Sequence, residues 1–160
     1  MEGEQATMAE QLFVEQAGIV IEHLGMPRMA GRALGWLLIC DPPQQSPGEL
    51  AVALQASKAS ISTTVRLLVQ IGLVERVALP GQRRDYFRVR ADTWSRATEE
   101  RMGLITSMRE LAEHGLALRT DADAEVTARL REMRDFYAFY ERELPALVAR
   151  WRQQRGQEQG

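Results

Sequence analysis

Residues 46–90 place a short helical pattern, a turn, a second helical pattern and a hairpin in direct succession: SPGELAVALQASKASISTTVRLLVQIGLVERVALPGQRRDYFRVR. This order is what a winged helix-turn-helix requires, because one short helix braces a second helix while the hairpin extends beside it. The stretch therefore predicts a mainly α fold with a small β-wing, flanked by N-terminal and C-terminal helices.

The two helices of this stretch begin with clear capping chemistry. Ser46 can accept from free amides, Pro47 occupies the first helical position where no donor is needed, and Glu49 can reach back to the cap. Ser57 is the natural cap of the second helix, which the pattern continues to about Ile71. The sequence thus fixes the start of both helices.

The second helix has two contrasting faces. Its apolar face is made of Ile61, Val65, Leu68 and Ile71. Its opposite face carries small hydroxyl and basic side chains, namely Lys58, Ser62, Thr63, Arg66 and Gln70, with Ser60 and Thr64 at the margins. Small hydroxyl groups allow close approach to base edges and phosphates, whereas a merely solvated helix would favour Glu, Lys and Ala. We predict DNA contacts from Ser57, Lys58, Ser60, Ser62, Thr63 and Arg66.

The hairpin carries two adjacent arginines at its tip. Residues 73–79 alternate with a period of two, and Pro80-Gly81 suits the centre of a type II turn. On the return strand Phe87 faces the core. Arg83 and Arg84 are raised away from the body, where they can enter a narrow minor groove or pair with phosphates. The alternative is a mobile, solvated hairpin tip.

Charge is distributed unevenly along the 160 residues. The whole chain has a net charge of −2, but residues 28–90 hold nine basic and four acidic side chains, a net +5, and the remainder is at −7. A basic segment inside an acidic chain indicates that the middle of the chain binds a polyanion and that the ends pair with other helices. We expect a single regulator domain (1–160) with a DNA-binding core at 28–91 and a helical dimerisation and effector region at 7–24 and 92–155.

The flanking segments have the apolar spacing of helices. Residues 7–24 show one apolar stripe, and residues 28–40 have Gly31 and Gly35 four apart, a spacing that allows close helix packing. A further helix is predicted from Asp92 or Thr93 to near Gly115. The N-terminus lacks a signal-peptide pattern and no apolar run of spanning length occurs, so we expect a cytoplasmic protein with no membrane partner.

The C-terminal segment has a long heptad seam with spacings of 4, 3, 4, 3, 4, 3 and 4. Its members are Val126, Leu130, Met133, Tyr137, Tyr140, Leu144, Leu147 and Trp151. Packing against a second copy is its expected use, since DNA-binding dimers match two half-sites. The alternative is that the N-terminal helix covers the seam within one chain. Pro145 is expected to kink the helix or split it.

The residues at 31–89 resemble the MarR superfamily of winged-helix regulators, and within it the GbsR-type branch. The resemblance rests on the combination of LLICDPP, SKASIS, IGLVERV and GQRRDYF. It implies a dimer that binds operator DNA and releases it on binding a small molecule. It also places Ser57, Lys58, Ser60, Ser62, Thr63 and Arg66 in the recognition region and Arg83 and Arg84 in the wing.

Other chemistry receives little support from the sequence. An effector pocket would draw on Trp94, Met133, Phe136, Tyr137 and Tyr140. With Asp135 and Glu141 nearby it could hold an organic cation, and a nonpolar ligand is equally compatible. Aromatic residues at helical spacing are, however, more often plain core. Cys40 ends an apolar run and is expected to be core with an ordinary or raised pKa. His23 and His114 are far apart, and no catalytic motif, metal cluster or cofactor site stands out, so no enzyme activity is expected.

The functional prediction is a homodimeric DNA-binding transcriptional regulator, in particular a repressor on a pseudo-palindromic operator, released by a small-molecule effector. The second hypothesis is a winged-helix architectural or protein-interaction module that needs no effector.

Overall fold

The computed structural model describes residues 7–120 and 124–158, except for the side chain of Val126. The fold is mainly helical with one small antiparallel sheet, as the sequence predicted. The chain divides into two compact units, with the boundary between Thr93 and Trp94. The expected single domain stays a prediction. The first unit contains α1 (Met8–His23), α2 (Arg28–Ile39), α3 (Pro47–Ala53), α4 (Lys58–Gln70), β1 (Val74–Val77) and β2 (Tyr86–Val89). The second contains α6 (Met102–Ala117) and α7 (Ala124–Glu158), preceded by α5 (Thr93–Glu100), which begins at the boundary.

Helices α1 and α2 pack so closely that a side chain at Gly31 has no room. A β-carbon there would lie 2.6 Å from the Ala17 carbonyl oxygen and 2.8 Å from the Gly18 α-carbon. The predicted close approach is therefore confirmed. Glu15 of α1 adds ion pairs to two arginines of α2, at 2.9 Å to Arg28 and 2.7 Å to Arg32.

The helix-turn-helix has the caps expected from the sequence. Ser46 and Glu49 form a reciprocal capping box on α3, and the Ser57 side chain accepts from the Ser60 amide at the start of α4. The largest fully buried side chains of this unit come mainly from these helices and β1, and include Leu50, Leu54, Ile61, Leu68 and Val74. Burial of the α4 apolar face fixes which side of that helix remains outside.

The wing is a two-stranded hairpin with the register Val74↔Val89 and Val77↔Tyr86. At its tip the Gln82 amide donates to the Leu79 carbonyl at 3.1 Å, and Gly81 has φ +76°, as the central glycine of a type II turn requires. A bridge adds Gln45 beside Phe87 through two backbone hydrogen bonds of 2.8 Å. The sequence did not predict this bridge, because a single paired residue has no periodicity.

The helix predicted from residue 92 or 93 to near Gly115 is in fact two helices. The interruption lies at Arg101, between α5 and α6, and Gly103 in the first turn of α6 has the low helix propensity of glycine. Arg152 of α7 binds Glu99 of α5 through two nitrogens, at 2.7 and 2.8 Å.

Helix α7 packs against α6 and uses part of the heptad seam for that contact. Leu130 reaches the α6 backbone at Gly115, while Thr106 and Arg109 of α6 donate to Glu141 at 2.6 Å each. Of the seam, Leu130, Met133, Tyr137 and Leu144 are half-buried, whereas Tyr140, Leu147 and Trp151 are exposed. Val126 is in the helix, but its side chain lies outside the described residues.

Of the two outcomes expected at Pro145, a kink or a split, the split does not occur. Helix α7 is continuous through that residue, although proline donates no backbone hydrogen bond. Leu144 is half-buried and Val148 is buried on either side of it, so packing holds both adjoining turns. Among the described residues, no helix is both long enough and apolar enough to cross a membrane.

Candidate nucleic-acid interface

A groove of about 800 Å³ lies between α4, the start of α3 and the wing. Its lining includes the apolar side chains of Val65, Val69 and Phe87 and four basic side chains. These are Lys58, Arg66, Arg76 and Arg84. The first unit thus brings together the exposed face of one helix and the base of the wing, two surfaces that are separated by about twenty residues in sequence.

The structure leaves most of the predicted α4 contact residues exposed. Ser57, Lys58, Ser62, Thr63 and Arg66 are all exposed, while Ser60 is half-buried. Thr64 differs from the sequence interpretation, which placed it at the margin of this face; it is buried because its position falls beside Ile61 and Val65 on the inner side. Ser57 already has a structural role as the helix cap.

Ion pairing divides the basic side chains of this region into two groups. Arg76 is held by Asp85 across the hairpin at 3.0 Å, and Arg88 is held by Glu75 at 2.6 Å. The ion pairs found among residues 7–120 and 124–158 do not involve Lys58, Arg66, Arg83 or Arg84. These four cations are therefore available to an external polyanion, and three of them, Lys58, Arg66 and Arg84, line the same groove, which suits a phosphate backbone.

Sequence reasoning missed several residues of this groove. Ser46, Pro47 and Gly48 line it from the start of α3, and Asp85 places one carboxylate among the arginines. Arg76 is paired with Phe87 in the register, so both side chains lie on the groove side of the wing. Nothing in the local pattern showed that the α3 terminus would reach the wing.

Three of the five residues predicted for an effector pocket, Phe136, Tyr137 and Tyr140, form an aromatic cluster on α7. Phe136 contacts Tyr137 edge to face, with ring centroids 5.3 Å apart, and Tyr140 at 5.2 Å. Met133 is half-buried and Trp94 is exposed. Glu141 is bound by Thr106 and Arg109, whose hydrogen bonds lower its pKa, and Asp135 is paired with Arg134. Both carboxylates thus already have an arginine partner within the second unit.

Cys40 has the environment of a protonated thiol. Burial raises its pKa to about 11, with smaller contributions from the carboxylates of Asp41 and Glu49. The raised pKa agrees with the sequence interpretation, and the thiol is only half-buried. Within the described part of the chain, no group of three or more His, Cys, Asp or Glu side chains could hold a metal ion.

Two family models match successive parts of the chain. Residues 24–85 match the MarR family, and residues 92–154 match the MmpR5-like MarR family transcriptional regulators. The chain is also 44% identical to the HTH-type transcriptional regulator MmpR5 of Mycobacterium tuberculosis (strain ATCC 25618 / H37Rv), over 91% of this chain and 88% of that protein. The chain belongs to the MarR family of transcriptional regulators.

Further comparisons agree with this assignment. A crystal structure of a transcriptional regulator superimposes with a TM-score of 0.78 at 43% identity and covers 91% of this chain and 99% of its own. The HTH-type transcriptional repressor OpcR of Bacillus subtilis (strain 168) is 25% identical over 83% of this chain and 79% of its own length. The predicted activity as a DNA-binding transcriptional regulator is confirmed, and these relatives are regulators rather than enzymes.

Proposed function

We propose that the chain acts as a homodimeric repressor on a pseudo-palindromic operator, with α4 in the major groove and the wing arginines against the flanking DNA. The observation that supports this proposal best is the groove between α4 and the wing, with basic side chains among the residues that line it. Ser62 and Thr63 are small enough to let the helix approach base edges. Lys58 and Arg66, with Arg83 and Arg84, would neutralise phosphates.

A homodimer is supported by the exposed apolar side chains of α7. Phe136, Tyr140, Leu147 and Trp151 are between 42% and 54% exposed, although they follow one another at helical spacing along one face. Monomers rarely leave such a stripe in water. MarR regulators act as dimers, and two copies would present two recognition helices to the two half-sites of a palindrome.

Repression and effector release are the finer parts of this proposal. The name of OpcR describes a repressor, and small-molecule binding is typical of MarR regulators. The aromatic cluster around Phe136 is the proposed effector site, and it favours a nonpolar ligand because the neighbouring carboxylates are already bound to arginines. We propose a cytoplasmic location because the chain must reach chromosomal DNA. Placement in the GbsR-type branch stays a prediction from the motifs at 31–89.

Binding to duplexes selected from a random-sequence library by the wild-type protein tests the interface. Changing Arg83→Ala and Arg84→Ala together should weaken binding by about 1–3 kcal/mol for each base-specific hydrogen-bonding pair that is removed. The plot of log affinity against log salt should flatten by about one unit for each phosphate that is no longer neutralised. Far-ultraviolet circular dichroism should remain unchanged.

The matched control is Arg119→Ala with Arg129→Ala, which removes the same charge from exposed positions in the second unit. That variant should retain the wild-type affinity and salt slope. Equal affinity of the wing variant and the control would exclude the wing from DNA binding. If the wild type selects no duplex, the architectural or protein-interaction module becomes the better hypothesis.

A further inference from the structure

Arg32 connects three elements of the first unit through two different nitrogens. Its Nε lies 2.7 Å from Glu15 Oε1 on α1, and its Nη2 donates to the Leu54 carbonyl at 2.9 Å. The Arg32 side chain itself belongs to α2 and is only 21% exposed. One guanidinium therefore joins the N-terminal helix to the end of α3.

The Leu54 carbonyl is at the turn that precedes the recognition helix α4. Leu54 is the C-terminal cap of α3, and carbonyl groups at helix ends lack partners inside their own helix. Gln55 follows with φ +51°, a left-handed conformation that costs a non-glycine residue free energy. Ser57 then caps α4. A charge-assisted hydrogen bond to Leu54 thus holds the turn close to the residue that starts α4.

We propose that Arg32, oriented by Glu15, is a positioning residue for DNA binding that holds the α3–α4 turn and so sets the placement of α4. A crevice of about 140 Å³ lies beside this contact, lined by both charged side chains and by Leu54 and Gln55. The groove described above is lined by other residues. Arg32 therefore acts through the turn, and α1 is coupled to the recognition helix. This inference rests on the proposed DNA interface.

Arg28 supplies a matched control within the same helix. It binds the same carboxylate, with Nη2 2.9 Å from Glu15 Oε2, so its substitution also removes one positive charge and one α1–α2 ion pair. Its described contacts do not include the turn. The hydrogen bond from Arg28 is the largest cause that lowers the pKa of Glu15, and the nearby charge of Arg32 adds to it, so the carboxylate is charged at neutral pH.

The experiment compares Arg32→Gln, Arg28→Gln and the wild type by fluorescence anisotropy on a duplex that the wild type selected. Arg32→Gln should bind about tenfold more weakly, as expected when one hydrogen bond from a charged donor is removed. Its salt slope should equal that of the wild type, whereas removal of a phosphate-binding cation would lower the slope by about one. Arg28→Gln should remain within about twofold of the wild type.

Hydrogen exchange provides a second readout of the turn. Amides of Gln55 and Ala56 should exchange faster in Arg32→Gln than in Arg28→Gln, because only the first variant breaks the bond to Leu54. If Arg32→Gln does not fold, Glu15→Gln replaces it and should weaken binding about threefold, again at constant slope.

Three results would overturn the inference: equal affinities of the two arginine variants, a reduced salt slope in Arg32→Gln, or wild-type affinity in the Glu15→Gln substitute. Failure of the wild type itself to bind any duplex would instead reject the proposed function.

Discussion

The α1–α2 contact gives a stability prediction whose sign is set by the structure. Alanine normally stabilises a helix relative to glycine, by about 1 kcal/mol. At Gly31, however, the added carbon would lie 2.6 Å from the Ala17 carbonyl oxygen, 2.7 Å from the Ile21 β-carbon and 2.8 Å from the Gly18 α-carbon. Two of these atoms belong to the α1 backbone, so no side-chain rotation relieves them. We therefore predict that Gly31→Ala destabilises the first unit.

The magnitude follows from the size of the overlap. Ordinary carbon contacts are about 3.5 Å or longer, so α1 must move away by roughly 0.8 Å. Overpacking of this kind costs about 1–3 kcal/mol, and three simultaneous short contacts place Gly31→Ala at the upper end. Subtraction of the helix-propensity gain leaves about 2 kcal/mol of net destabilisation. For a unit of this size, that lowers Tm by roughly 10 °C.

The matched control is Gly48→Ala in α3, which belongs to the same unit. A β-carbon at Gly48 would have Ser46 Oγ at 3.9 Å as its nearest neighbour, an ordinary contact, so this variant should be as stable as the wild type or slightly more stable. Thermal melts of the three proteins at one concentration measure the difference. A Gly31→Ala melt at or above the wild-type Tm would refute the close-packing argument.

Two further predictions concern α4 and α7. Ile61→Glu should unfold the first unit, because Ile61 is fully buried and the new charge would have no partner. Ser62→Glu should melt like the wild type, because Ser62 is exposed, but should abolish DNA binding through repulsion from phosphate. Identical melts for these two variants would show that the α4 faces are misassigned. Tyr140→Glu, at a 42% exposed position, should leave helicity intact but shift the protein from dimer to monomer in sedimentation. A wild-type monomer at micromolar concentration with intact DNA binding would contradict the dimer proposal.

The elements of the first unit could be predicted because their signals are local. Ser46 and Glu49 act within one helical turn, and Pro80-Gly81 defines its own tight turn, so neighbouring residues alone determine these features. The two faces of α4 follow from a period that eleven residues suffice to show. For the same reason, the exposure of Ser62, Thr63 and Arg66 follows from the sequence alone.

Tertiary contacts have no such local signal. The bridge from Gln45 to Phe87 and the bond from Arg32 to Leu54 join residues 42 and 22 positions apart, and neither has a periodic signature. The burial of Thr64 is a subtler case, because a threonine at the margin of a helix face is compatible with either side. Its neighbours in space, rather than its own chemistry, decide the outcome.

The heptad seam of α7 illustrates why spacing alone does not identify a partner. A stripe of apolar residues must be covered by another helix. That helix can belong to the same chain or to a second copy, because both can offer equivalent apolar side chains. Here α6 contacts the side of α7 that carries Leu130 and Glu141. The remaining large side chains of α7, including Phe136, Leu147 and Trp151, are exposed to solvent. Since these exposed residues still share one face over four turns, the in-chain contact uses only part of the apolar surface that the sequence encodes. The remainder is the surface that a second copy would cover, and Tyr140 lies within it.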